Sequence, residues 1–435
     1  MARRVTMTAP PDAPIPSTPL AIPDYRRFWI ARFFSVVATS GMVVILGYQL
    51  YDVARSQYGM SIAEAAFQLG LLGLAQFLPL FLLTPIAGLV ADRFDRRNVA
   101  GLSLCLDLII ALTLAITTRN GVLSLPLLFG LAALHGTARV FIGPALSSIA
   151  PNVVPAALMP KAVAINSMAW QIGSVGGPAL AGLLFSGHPS LPYWISTVLL
   201  AMAALCTFSI RRLPPPEGNR DVHPVRQIRQ GLSFVWNDRF LLGCITLDLF
   251  AVLLGGATAL LPVFARDILL IDGKPVGADG LGLMRAMPGL GAALVAFVLA
   301  RKPISSNVGN KMLLSVAVYG VFTIGFGLST NFHLSLLMLI GLGASDMVSV
   351  FIRSTLVQLH TPDNVRGRVS SISGLAVSAS NELGEMQSGV AAALLGAVGA
   401  VAFGGVGAIV ITAAWFFLFP ELKNARTFAA GYRSS

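Results

Sequence analysis

The sequence predicts an all-α integral membrane protein with twelve transmembrane helices arranged in two six-helix halves. Hydrophobic residues make up 55% of the chain and charged residues only 11%, whereas about 25% is charged in ordinary soluble domains. The apolar residues also occur in runs of about 20, the length at which a helix crosses a bilayer. A polar stretch at residues 211–239 separates six of these runs from the other six.

Each predicted helix is a run that stays apolar throughout, whereas a β-barrel strand would alternate over about ten residues. The segment before the first run is polar and rich in proline and lacks the apolar core of a signal peptide. The first helix is therefore expected to act as its own insertion signal. In chain order, the helices are expected near residues 28–52, 67–91, 98–117, 122–148, 162–186, 191–210, 240–265, 280–300, 310–330, 333–358, 369–395 and 398–419.

These helices divide the chain into predicted domains. Part of the central linker, 224–236, is amphipathic and is expected to lie along the membrane surface. The expected domains are a disordered tail at 1–23, a first six-helix bundle at 24–210, a linker at 211–239, a second bundle at 240–420 and a tail at 421–435.

The net charge of +11 is explained by its distribution. In the predicted topology, 22 of the 30 lysines and arginines lie in loops and tails on the side of the N-terminus. Only Arg55, Arg119, Arg266 and Lys274 lie in loops on the other side. Basic residues mark the cytoplasmic side and attract anionic lipid, so both termini are expected in the cytoplasm. The bilayer accounts for this charge, and nucleic acid is not expected as a partner.

No enzyme is expected from this sequence. It contains neither the Gly-x-x-x-x-Gly-Lys loop of nucleotide hydrolases nor the His-Glu-x-x-His motif of metalloproteases. The longest linker, 211–239, is too short for a catalytic domain. Cys105, Cys206 and Cys244 lack CxxC spacing and are expected to be reduced packing residues. No cofactor is expected.

A charged loop and a weak internal repeat describe the architecture further. Between the second and third predicted helices stands Gly88-Leu-Val-Ala-Asp92-Arg93-Phe-Asp95-Arg96-Arg97. Its basic cluster is typical of a cytoplasmic loop. The segment beginning Ser148-Ile-Ala-Pro151-Asn is similar to the one beginning Leu359-His-Thr-Pro362-Asp. A parallel repeat of this kind predicts two halves related by an axis along the membrane normal.

Three motifs together resemble the major facilitator superfamily of transporters over essentially residues 24–420. Within it, the chain is most similar to the branch of enterobactin (siderophore) exporters and macrolide efflux proteins. Asp95 departs from the glycine common in the superfamily, and an acidic residue is common there in that branch. The motifs are Phe28-Trp-Ile-Ala-Arg32-Phe-Phe-Ser, Ala91-Asp92-Arg93-Phe-Asp95-Arg96-Arg97 and Thr361-Pro362-Asp-Asn-Val-Arg366-Gly367-Arg368-Val.

The resemblance implies the major facilitator fold, with the first, fourth, seventh and tenth helices lining a central cavity. That placement makes Arg139, Asp248, Asp346 and Arg353 cavity residues, and His135 shares a helical face with Arg139. Static salt bridges between helices, and a satisfied core histidine, are the alternative. Arg32 and Asp52 are expected to reach the membrane interfaces. Further pocket residues are expected to be Tyr48, Gln49, Trp170, Gln171, Asn381 and Gln387.

Glu382 and Glu385 are the expected coupling acids. They lie one turn apart in the eleventh predicted helix, which is expected beside Asp346 and Arg353. Two neighbouring carboxylates repel each other, so one acid of this cluster is expected to be protonated near neutral pH, and the proton is the expected coupling ion. Acids outnumber bases in the helices. The acids are Asp107, Asp248, Asp346, Glu382 and Glu385, and the bases are Arg139, Arg285 and Arg353.

Asp92 is expected to hold the cytoplasmic side closed. The eleventh helix begins near Arg368, and its N-terminus carries partial positive charge. Asp92 can bond to that N-terminus, to Arg366 or to Arg368. The alternative is that Asp92 only caps a helix end. The expected gating residues are Gly88, Asp92, Arg93, Arg96, Arg97, Arg366 and Arg368.

The expected function is secondary active transport by alternating access, namely proton-coupled efflux of a small organic molecule such as a siderophore or an amphiphilic drug. The protein is expected to act as a monomer in the plasma (inner) membrane. One alternative is a metal-ion or lipid carrier on the same fold, with His135 and Asp346 as metal ligands, although two ligands are few for a metal. The other is a non-transporting scaffold or sensor, against which the charges inside the helices argue.

Overall fold

The computed structural model describes residues 18–147, 149–213, 224–362 and 365–428. Within these ranges eleven helices are long and apolar enough to cross a membrane. The first ten are α1 (Pro23–Ser56), α2 (Ile62–Arg93), α3 (Arg96–Arg119), α4 (Leu125–Ser147), α5 (Met159–Gly187), α6 (Leu191–Phe208), α7 (Arg239–Leu254), α8 (Gly277–Arg301), α9 (Val308–Leu328) and α10 (Phe332–His360).

The eleventh helix, Arg366–Leu418, is two spans joined at one residue. Gly396 has φ 73° and ψ 165° in an otherwise helical stretch, a backbone conformation that glycine adopts at little cost. It separates α11 (366–395) from α12 (397–418). The described residues therefore contain twelve spans, and the predicted all-α membrane fold is confirmed.

The twelve spans form two groups of six. In the first, α1 packs on α5 and α6, and α2 packs on α4. In the second, α8 packs on α10, and α9 packs on α10 and α12. The two groups meet where α2 lies against α11 and where α5 lies against α8.

One face of the molecule carries the chain ends, and it is called here the terminal side. Arg211 donates its backbone N–H to Asp24, and the backbone N–H of Gly309 donates to the carbonyl of Ala425. The first contact places the residues around 211 beside the N-terminal end of the described chain. The second places the residues around 309 beside its C-terminal end. The other face, with the loops around 57–61 and 269–276, is called the opposite side.

The seventh predicted helix, at 240–265, is wrong as a single helix. It ends at Leu254 and continues as short 3₁₀, α and π turns through Ile268. At Gly256, α11 approaches so closely that a Cβ would lie 2.3 Å from the Ser388 hydroxyl oxygen. Pro262 also lacks a backbone N–H for the helical ladder.

Two smaller elements lie outside the spans. A helix at Pro224–Asn237 matches the predicted amphipathic part of the linker, and a Cβ at its Gly231 would meet α11 at Arg368. On the opposite side, a two-stranded antiparallel hairpin pairs Leu270–Ile271 with Lys274–Pro275. The sequence analysis did not predict the hairpin. The predicted domain boundaries remain predictions.

Candidate transport site

The two halves touch most closely through glycines. A Cβ on Gly389 of α11 would lie 2.5 Å from the Cα of Gly70 in α2. A Cβ on Gly182 of α5 would lie 3.0 Å from the Cα of Gly282 in α8. Small residues allow membrane helices to approach this closely. Both contacts lie toward the opposite side, because α2 and α8 begin there, at Ile62 and Gly277.

An ion pair joins the halves deeper in the membrane. An Nη of Arg139 in α4 donates to an Oε of Glu382 in α11 at 2.7 Å, and the arginine side chain is 41% exposed while the glutamate is 9% exposed. Both residues were predicted as transport residues, and the structure brings them together. A charge-assisted bond of this length is stronger than a neutral one, so the pair stabilises this arrangement of the halves.

Glu385 lines a small cavity between the halves, one turn further along α11. A Cβ on Gly73 of α2 would lie 2.7 Å from the Cβ of Glu385, so the missing side chain makes room for the acid. The cavity, of about 50 Å³, also contains Gln76 and Arg285. Arg285 was predicted only as a basic residue within a helix, and no role was assigned to it. It donates to the carbonyl oxygen of Thr258 at 3.2 Å.

Two of the remaining predicted acids, Asp248 and Asp346, lie together inside the second half. Arg353 of α10 pairs with Asp248 of α7, and both side chains are 8% exposed. Asp346 shares a pocket of about 10 Å³ with Asp248 and Tyr319. Among the described residues, Arg353 forms its ion pair with Asp248 and not with Asp346.

The prediction that Glu382 and Glu385 form one cluster with Asp346 and Arg353 is wrong. Helix α11 turns its two glutamates toward the first half. The arginine of α10 is already paired with α7.

His135 does not line the space between the halves. Its Nδ1 lies 2.8 Å from an Oδ of Asp107 in α3, and both side chains are almost fully buried within the first half. This is the satisfied core histidine that the sequence analysis kept as an alternative. Asp346 lies in the other half, and the described residues contain no group of three metal-ligating side chains.

On the opposite side, a polar latch that the sequence analysis missed connects α1 to the segment after α7. The Tyr51 hydroxyl donates to an Oδ of Asp267 at 2.5 Å, and the Arg266 Nε donates to Asp52 at 2.8 Å. Arg55 lies 3.6 Å from Asp267. Asp52 was expected to reach the membrane interface. That expectation stays a prediction, and the structure adds the bond from Arg266 to Asp52. Arg266 is one of only four basic residues predicted on this side. Because basic residues are scarce there, its presence was the sequence feature that could have indicated the latch.

The predicted gating residues on the terminal side are partly described. Arg97 donates to the carbonyl oxygen of Ile210 at 2.8 Å, and Asp95 accepts the backbone N–H of Arg97 as the cap of α3. Arg366 donates to the carbonyl oxygen of Gln358 at 3.2 Å. Arg93 is exposed, and Arg96 and Arg368 are partly exposed. Of Gly88 only the helical backbone is described, and the side chain of Asp92 lies outside the described part of the chain.

The expectation that Arg32 reaches the membrane interface stays a prediction. Its guanidinium lies over the indole ring of Trp170 in α5, 5.1 Å from the ring centre. Trp170 itself is 51% exposed. Of the other predicted pocket residues, Gln49 is buried and accepts a bond from Tyr193 at 2.7 Å, so it acts in packing.

Comparison with known proteins places the chain among membrane transporters. A family model described as "transmembrane secretion effector" matches residues 15–430. The enterobactin exporter EntS of Shigella dysenteriae serotype 1 is 28% identical over 388 residues, which cover 87% of this chain and 86% of that protein. EntS of Escherichia coli O81 is equally similar.

Solved structures share the fold. A mutant of the nucleoside transporter NupG aligns with a TM-score of 0.68 at 15% identity, over 91% of this chain and 100% of that one. A D-xylose–proton symporter aligns with a TM-score of 0.66 at 14% identity, over 93% of this chain and 98% of that one.

Proposed function

Because the chain belongs to the transmembrane secretion effector family of major facilitator transporters, we propose that it exports a small organic molecule across the inner membrane in exchange for protons. Transport by the family is the premise, and the efflux direction, the proton and the substrate class are the proposal. The family description and the exporters among the relatives support export. An organic siderophore-like molecule is supported by the named substrate of those relatives.

The observation that carries the proposal is the Arg139–Glu382 pair, which joins the two halves. Alternating access requires the halves to separate on one side and close on the other. Protonation of Glu382 removes the charge that holds Arg139, so it weakens a contact across this interface. Uptake or release of a proton at Glu382 can therefore be coupled to a change in the arrangement of the halves.

Glu385 supplies the second acid of this device. It lies one turn from Glu382 in the cavity with Gln76 and Arg285. When Glu382 is paired with Arg139, Glu385 has Arg285 as the nearby cation. A proton that enters the cavity can thus be shared by two carboxylates that compete for two arginines. This arrangement supports coupling at α11 over coupling at Asp346, which lies in the second half beside the Asp248–Arg353 pair.

The test uses purified protein in liposomes with radiolabelled enterobactin as the probe. We expect Glu382→Gln to reduce transport driven by an imposed pH gradient by about tenfold or more, because glutamine cannot take up or release a proton. Exchange of substrate at equal pH should persist, because it requires alternation without net proton movement. Glu385→Gln should show the same separation, and Glu421→Gln, at the terminal surface, is the control.

Two results would contradict the coupling scheme. The first is a normal response to the pH gradient in both α11 variants. The second is equal loss of gradient-driven transport and exchange, since that would assign the acids to folding or to substrate binding.

A further inference from the structure

Arg32 lies within the span α1 and has no carboxylate partner among the described residues. It takes part in none of the ion pairs found there. Its Nε is shielded from solvent and makes no hydrogen bond within the described part of the chain. A charged group inside a membrane protein is costly. Arg32 therefore has donor capacity that packing alone does not use.

Helical spacing directs Arg32 toward the space between the halves. Residues 32, 39 and 43 are separated by seven and four positions and so share one face of α1. Val43 lines the 50 Å³ cavity that also contains Glu385. Arg32 lies on the same face, nearer the terminal side, because α1 begins there at Pro23.

The face of α5 that carries Trp170 is opposite the face that carries Met168 and Ile172. Ser167 and Ser174 lie three and four residues from Trp170 and share its face. Met168 and Ile172 lie on another face and are 60% and 55% exposed, which is typical of contact with the bilayer. Because Trp170 is half exposed, the part of its ring that the Arg32 guanidinium does not cover is available to a ligand.

We propose that Arg32 and Trp170 form a recognition site for an anionic aromatic substrate, an inference that rests on the proposed transport function and gives it a substrate class. The guanidinium is planar and offers donors suited to a carboxylate or phenolate. The indole face beside it stacks on an aromatic ring. Together they select a molecule that carries a negative charge on or next to a ring.

Arg139 is not assigned to this site. One of its nitrogens bonds Glu382, so its charge already has a partner, whereas Arg32 has none among the described residues.

The test is binding of 2-naphthoate and its neutral amide, 2-naphthamide, to purified protein by titration calorimetry. We expect the wild type to bind naphthoate about tenfold or more tighter than naphthamide, because only the acid makes a charge-assisted bond. Arg32→Gln should remove this preference. Trp170→Ala should weaken both ligands, because both rings stack on the indole.

A second arginine–aromatic pair gives a matched control. Arg301 lies over the ring of Phe297, 3.7 Å from its centre, on an exposed part of α8. Arg301→Gln should leave the preference for naphthoate unchanged. Arg32→Lys keeps the charge and should retain part of the preference, and monodisperse elution of each variant shows that it is folded.

Equal binding of naphthoate and naphthamide to the wild type would overturn the inference. So would an unchanged preference in folded Arg32→Gln. Binding requires no proton gradient, so the two proposals fail separately. A normal preference for naphthoate without gradient-driven export would refute only the proposed function.

Discussion

At the scale of residues, the partner of each charge separates those proposed for transport from those paired inside one half. Arg139, Glu382 and Glu385 lie where the halves meet, whereas His135 and Asp107 are paired inside the first half. The sequence predicted all of these residues as ionisable groups within helices. It could not predict the pairings, because helical spacing orders residues on one helix and says nothing of the neighbour that each one meets.

The His135–Asp107 pair gives a test of that division. Asp107→Leu leaves His135 buried without its partner, which should lower the free energy of unfolding by about 1–3 kcal/mol. Asp107→Asn keeps an oxygen that can accept from the histidine and should cost less. Thermal unfolding in detergent measures both. Substrate exchange by the folded fraction of Asp107→Leu should match the wild type, and a specific loss of exchange would instead make His135 a transport residue.

At the scale of elements, sequence patterns predicted the spans well and their interruptions poorly. Long apolar runs predicted α1–α6 and α8–α10 to within a few residues. The seventh helix was extended too far because 255–265 is as apolar as a helix, although Gly255, Gly256 and Pro262 interrupt it. Gly256 allows close contact with α11, and Pro262 lacks the backbone N–H of a helical hydrogen bond. A hydropathy pattern detects neither effect. The α11–α12 bend was anticipated only as a gap between runs, and the positive φ of Gly396 supplies its cause.

The close crossing of α2 and α11 is expected to hold the opposite side closed. A Cβ at Gly389 would lie 2.5 Å from the Cα of Gly70. Overpacking of this kind costs about 1–3 kcal/mol. Gly389→Ala should therefore favour the state open to the opposite side. A cysteine at Val44, in the cavity between the halves, should be labelled from that side about tenfold faster.

Gly130→Ala is the matched control for this crossing, since a Cβ there would meet nothing within 4 Å. The labelling rate at Val44→Cys should then stay at its original value. If Gly389→Ala left the rate unchanged as well, the α2–α11 contact would not determine closure.

At the scale of the whole molecule, the two sides are built differently. The opposite side is closed by two glycine crossings and by the latch of Tyr51, Asp52, Arg266 and Asp267. The terminal side carries most of the basic loops. If the charge bias places the terminal side in the cytoplasm, this conformation is closed toward the outside. The latch then contains the groups that must part before the outer side can open.

That orientation is open to a direct labelling test in a variant without Cys105, Cys206 and Cys244. Arg212 is exposed on the terminal side, and Lys274 is exposed in the hairpin of the opposite side. An impermeant maleimide should label Lys274→Cys in intact cells and should label Arg212→Cys only after the membrane is permeabilised. The physical reason is the excess of lysine and arginine in loops on the terminal side, which retains those loops in the cytoplasm. Labelling of Arg212→Cys in intact cells would contradict this orientation and place the terminal side outside the cell. The latch would then close the cytoplasmic side. Leu294→Cys, on a half-exposed apolar position of α8, should resist the reagent in both preparations because bilayer lipid covers it.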